Sequence, residues 1–296
     1  MAAALFVFVQ LELAGELGPP DGRYVVRPYA DGEVERVIVI ETLGAPVRTT
    51  ATGRLARKLA SSREVPPEPE PASVATTRVT VIDPVSLASP QQADAWLAAA
   101  DPDASIADAS AFANRVLAAQ RIAAADPHIH DVPAHSAIAA RAGYGEGEQV
   151  AYGRWVKARE LLREPGVPRG RRARVAALRP QERFAALLGA RSEPLLCEEL
   201  ALRARADLDH GREPLASLEL DRALSVAPRE LRAQGRPDLD ERADELEALR
   251  PAVAAASGKA LAGEPAAGEI DSEALEGALS RLEAALRART ATGFSG

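Results

Sequence analysis

ALFVFVQLEL, residues 4–13, places Leu5, Val7, Val9, Leu11 and Leu13 at every second position. Phe, Val and Leu suit the pleated surface of a strand, so the period of two makes this a first β-strand. The chain around it reads as more of the same. GELGPPDG is dense in turn residues, RYVVRPY is a second strand, and the Asp-Gly of ADGE precedes a third, VERVIVIETL. These three strands suggest an antiparallel meander. Val37 to Ile40 leave no polar face, which places the third strand centrally. TTRVTVID adds a fourth, giving strands at about 3–14, 23–29, 33–43 and 76–83.

Between strands three and four lies an insert, 44–75, basic at Arg48, Arg54, Arg57, Lys58 and Arg63 and then alternating Pro with Glu. The PPEPEP part is expected to be extended and solvated. Beyond strand four the period changes. Ser89 before Pro90 starts a helix, and Ile106, Ala109, Phe112 and Val116 mark the stripe of a longer one. The histidine-bearing segment follows, then a short helix near SAIAARA, the loop GYGEG, and a helix EQVAYGRWVKARELL with Ala151, Trp155, Ala158 and Leu162 on one side. The expected fold class is α+β: a mainly antiparallel sheet with packed helices over 1–163, an Arg/Pro/Gly linker at 164–179, and an all-helical domain over 180–296.

Composition bounds the function. The net charge is −7, which argues against a general nucleic-acid or membrane binder. Lysine occurs only at Lys58, Lys157 and Lys259, the remaining cations being arginine, as expected of GC-rich bacterial coding. MAAALFVFVQLEL lacks the basic start of a signal peptide and is broken by Gln10 and Glu12 before it could span a bilayer. A cytoplasmic protein is the expectation. The single cysteine, Cys197, fits a reducing compartment and, between Leu196 and two glutamates, is a poor nucleophile.

ADPHIHDVPAH, residues 125–135, gathers His128, His130, Asp131 and His135, a donor set that zinc accepts. DPHIHD resembles the His-x-His that opens amidohydrolase-type metal sites, which implies a metal-dependent hydrolase. Against this, RIAAAD before it reads as a helix end rather than a strand, and after His135 only His210 remains. A polar turn stiffened by Pro133 is the competing reading. GYGEG follows a helix and lacks a Gly-Lys-Ser ending, so it matches neither a dinucleotide fingerprint nor a phosphate loop. Asp207 and His210 echo a di-iron motif without its second copy. Ser136 beside His135 has no nucleophile elbow. No cofactor is expected.

In the C-terminal half, Gly211 sits at a turn, Ala216 and Ala223 are small, Leu220 lies between them and Pro228 ends the helix. From Gly211 to Pro228 the chain resembles the second half of a tetratricopeptide repeat. Arg203 and Asp207 depart from the pattern on the preceding helix, and no second copy follows. The resemblance implies a protein-binding helical surface. DSEALEGALSRLEAALRAR spaces Leu275, Leu279, Leu282 and Leu286 by four, three and four, the seam of a helical pair. Those leucines are the expected contact for a protein partner or for self-association. Arg171, Arg172 and Arg174 are candidate anion-binding residues, and through them nucleic acid is a further candidate partner. The reading as a whole is a non-catalytic interaction or assembly protein that uses its helical surface.

Overall fold

β1 (Leu5–Ala14) carries Phe6 and Phe8 between Leu5, Val7 and Val9, so its first half is apolar on both faces. Such a strand is stable only where both faces are covered. It lies inside a six-stranded sheet of order β2-β3-β4-β1-β5-β6, with β2 (Gly22–Val26), β3 (Arg36–Leu43), β4 (Thr76–Ile82), β5 (Ala137–Glu146) and β6 (Lys157–Glu160). Every pairing is antiparallel. The computed structural model describes residues 4–44, 74–162, 171–263 and 270–291, with the backbone alone for 171–179 and Ala291. The chain is α+β and divides into two units, Met1–Glu164 and Pro165–Gly296. The basic stretch of the insert, Arg48 to Arg63, lies outside the described residues.

Two expectations about the sheet need correction. β1 and β2 are not neighbours: β1 sits between β4 and β5, and the half-exposed β2 is an edge. β5 and β6, moreover, stand where helices were expected. Alanine favours helix locally, but AIAARAGYGE completes the second side of β1, with Ala140, Ala142 and Tyr144 buried. Its glycines are packing residues. A Cβ on Gly143 would stand 2.5 Å from the Lys157 carbonyl oxygen and 2.8 Å from Phe8 Cζ, so the Phe8 ring of β1 and the backbone of β6 close in on β5 only because Gly143 has no side chain.

One face of the sheet is roofed by α1 (Pro90–Ala99) and α2 (Pro102–Ala124). Ser89 and Asp101 cap them, accepting from Gln92 N and Ala104 N at 3.2 and 2.9 Å. Ile106, Phe112 and Val116 of α2 pack on Leu11, Ile38, Val79 and Val81, each large apolar group contributing about 1.5–3 kcal/mol. On the opposite face a 3-10 turn, Gly147–Tyr152, lays Val150 and Ala151 over Phe8, Val37, Val39 and Ile82, with Trp155 against Phe8 at 5.6 Å between ring centres. α1 is tied down separately: Asp94 accepts from Tyr144 Oη at 3.0 Å and from Lys157 Nζ at 2.7 Å.

The second unit holds α3 (Arg171–Leu188), α4 (Leu196–Asp209), α5 (Glu213–Arg232), α6 (Pro237–Ala262) and α7 (Ser272–Ala291). α3 begins inside the segment read as a linker. Gly211, at φ +64°, turns α4 into α5, where Ala204, Ala216 and Ala223 are buried. Neither Pro228 nor Pro251 ends its helix. An interior proline costs about 3 kcal/mol, and the turns beyond it bury Leu231 and Val253, which offsets that cost. Among the described residues no helix is long and apolar enough to cross a membrane.

Candidate interaction groove

The histidine segment is anchored from α2. Asn114, buried, donates to the Val132 carbonyl at 3.0 Å and accepts from Val132 N at 2.7 Å. Asp126 Oδ1 accepts from His128 N at 2.9 Å, which makes the start of the segment a side-chain-bonded turn. Ile129 is buried, its side chain reaching Gly18, and Val132 and Ala134 pack against the core half-buried, while His128, His130 and His135 are exposed. Among the described residues no three His, Cys, Asp or Glu side chains are grouped to hold a metal ion, so His128, His130, Asp131 and His135 do not form the expected cluster. The buried anchor is an isoleucine, and the imidazoles are left on the outside of it.

The remaining motifs are absorbed by the fold. GYGEG is strand. Asp207 pairs with Arg212 at 2.7 Å, and His210 Nδ1 lies 2.6 Å from the Ala206 carbonyl at the end of α4. Ser136 donates to the Pro133 carbonyl at 2.7 Å. Cys197 is fully buried, and burial together with the Glu230 carboxylate beside it pushes its thiol up. The same carboxylate accepts from Leu196 N and Cys197 N, both at 3.0 Å, closing the N-terminus of α4.

The leucine seam faces inward. Leu275, Leu279 and Leu282 are buried among α4, α5 and α6 residues such as Ala201, Leu220 and Leu246, so they hold α7 to its own unit and are not exposed for a partner. Only Leu286 departs from this. It lines an open groove of about 520 Å³ bounded by α3, α4 and α7, with Leu187 and Leu202 as its other leucines. Leu202 is 67 % exposed. Nearby on α3, Phe184 and Leu188, one turn apart, are 63 % and 73 % exposed.

The groove has a charged wall as well as an apolar floor. Arg183 Nη2 lies 2.7 Å from both carboxylate oxygens of Glu198, and Arg289 Nη1 donates to Glu198 Oε1 at 3.1 Å. Glu198 Oε2 also accepts from Leu195 N at 3.0 Å, so one carboxylate ties α3 and the end of α7 to the start of α4. Arg205 of α4 reaches Glu283 at 2.8 Å and Glu276 at 2.6 Å on α7, and these contacts draw the Glu276 carboxyl below its ordinary range. Arg287 and Glu199 complete the rim. The side chains of Arg171, Arg172 and Arg174 lie outside the described residues; their backbone forms the first turn of α3.

Compared with protein families, with curated proteins and with solved structures, the chain matches none. Its function has to be argued from this geometry. Leu187, Leu202 and Arg183, which the sequence reading passed over, carry the groove. The signal for them is faint: Phe184 and Leu188 in QERFAALLGA repeat at i and i+4, on a helix whose other apolar residues could equally have served a core.

Proposed function

We propose that the protein is a non-catalytic interaction or assembly protein that docks an amphipathic helical segment of a protein partner in the groove between α3, α4 and α7. The exposed leucine floor carries the reading: Leu202, beside Leu187 and Leu286, forms an apolar strip between helices rimmed by Arg183, Arg287, Glu199 and Glu283. A strip of this kind takes the apolar stripe of an incoming helix, while the mixed rim selects its charged edge. The buried, lone Cys197 supports a reducing, cytoplasmic setting for that association.

Capture tests it. The immobilised full chain retains a partner from an extract of its host, and Leu202→Arg, a change at an exposed position, abolishes retention while leaving the helical circular dichroism unchanged. Tyr29→Arg, exposed in the first unit, retains the partner. Equal retention by wild type and Leu202→Arg removes the groove from the reading.

A further inference from the structure

A second cavity, of about 280 Å³, opens in the first unit between the sheet and the start of α2. Val7 and Val9 of β1 and Val81 of β4 give it an apolar side, Trp96 of α1 an aromatic one, and Asp83 and Asp108 bring carboxylates to it. Arg36, the cation among its lining residues, is held elsewhere. Its guanidinium lies 5.0 Å from the centre of the Phe112 ring, and its Nη1 donates to the Glu35 carbonyl at 2.7 Å. To Asp83 and Asp108 it stands at 3.7 and 4.0 Å, beyond hydrogen-bonding distance. Two carboxylates thus share one guanidinium in loose ion pairs, Asp83 Oδ1 also accepting from Val85 N at 2.9 Å, and the lining carries one more negative than positive charge beside an indole and three valines.

We propose that this cleft binds a small organic cation: a primary ammonium or guanidinium on a short aliphatic stem. The cationic head donates to Asp108 and Asp83, where a charge-assisted hydrogen bond replaces the long contact to Arg36. The indole of Trp96 attracts the same charge through its π face, and the stem covers Val7, Val9 and Val81. The volume lies at the lower end of ligand cavities, which limits the ligand to about four to eight non-hydrogen atoms. An anion of equal size meets the surplus carboxylate, and a neutral alcohol gains nothing from it.

Butylammonium chloride titrated into the isotope-labelled full chain is the test, read on the indole N–H resonances of Trp96 and Trp155, which Trp155→Phe assigns. The Trp96 signal shifts saturably with a dissociation constant on the order of 1–10 mM, as befits so small a ligand. Trp155, which is not among the lining residues and touches the cleft only through Phe8, shifts less than Trp96. Sodium butyrate and 1-butanol at the same concentration leave Trp96 unshifted. Asp108→Asn, at an exposed position, and Asp83→Asn each weaken butylammonium by roughly tenfold. A non-saturating shift, an equal response to 1-butanol, or undiminished binding by both variants overturns the proposal.

Discussion

The two faces of the sheet solve the same problem in different ways. Under α1 and α2, β1, β3, β4 and β5 present Leu11, Ile38, Val79 and Ala140, all fully buried. On the other face the 3-10 turn covers only Phe8, Val37, Val39 and Ile82. Beyond it the strands turn polar together. Glu41, Arg78, Glu12, Arg141 and Glu160, one from each of β3, β4, β1, β5 and β6, form a row of alternating charge with contacts of 3.3, 3.3, 3.1 and 3.8 Å. Gln10, 1 % exposed, joins the row to the apolar half by bonding Thr80 and the Ala151 carbonyl and accepting from Arg141. The lesson is that one layer of helices is enough for one face, and that cross-strand pairing of opposite charges finishes the other where no layer exists.

That contrast can be broken from the dry side first. Leu11→Ala removes a fully buried side chain and costs about 2–5 kcal/mol, a fall of roughly 5–15 °C in the melting temperature of the unit, measured by calorimetry. Gly143→Ala comes next. Its Cβ meets the Lys157 carbonyl at 2.5 Å, so β6 must give way, at about 1–3 kcal/mol, and amide exchange in Lys157–Glu160 rises above that of β1.

Glu12→Gln tests the wet side. It leaves Arg78 and Arg141 facing each other across β1 and costs about 1–2 kcal/mol, between the values for exposed and buried pairs, because these groups are roughly one-fifth exposed. The loss shrinks in molar salt, whereas that of Leu11→Ala does not.

Asp94→Asn gives the smallest effect and sharpens the comparison through pH. Lys157 and Tyr144 hold the Asp94 carboxyl below its usual value, so its contribution is present above the carboxylate range and is lost as pH falls through that lowered value. Lys157 is raised by the same contact, so its share is present below the ordinary lysine value and lost as pH rises beyond it. Melting temperatures of wild type and Asp94→Asn therefore differ at neutral pH and converge in acid below about pH 4.

The strands legible in the sequence were those built of β-branched and aromatic residues between turn signals, as in Leu5 to Leu13 and Val37 to Ile40. β5 was hidden because its burial is supplied by alanine and glycine, residues whose local preferences say helix or turn; only the pairing with β1 makes AIAARAGYGE a strand. Capped helices were legible for the opposite reason, since Ser89-Pro90 is a local instruction. The groove was not. A seam such as Leu275, Leu279 and Leu282 states that a helix has a partner but not whether the partner belongs to the same chain, and here α4, α5 and α6 take that place. What is left over, on Leu202 and Phe184, is visible only after the intramolecular partners have been assigned.

β6 has a consequence for how the molecule behaves when concentrated. It is a four-residue outer strand, KARE, and its two cations reach back to α1: Lys157 to Asp94, and Arg159 to the carbonyls of Leu97 and Ala100. A border this short and this charged offers a poor template to another chain's backbone, and the bonds to α1 keep it from straightening into one. The sheet thus stops growing at Glu160, and crowded copies of the protein are denied one of the two rims along which β-rich proteins polymerise.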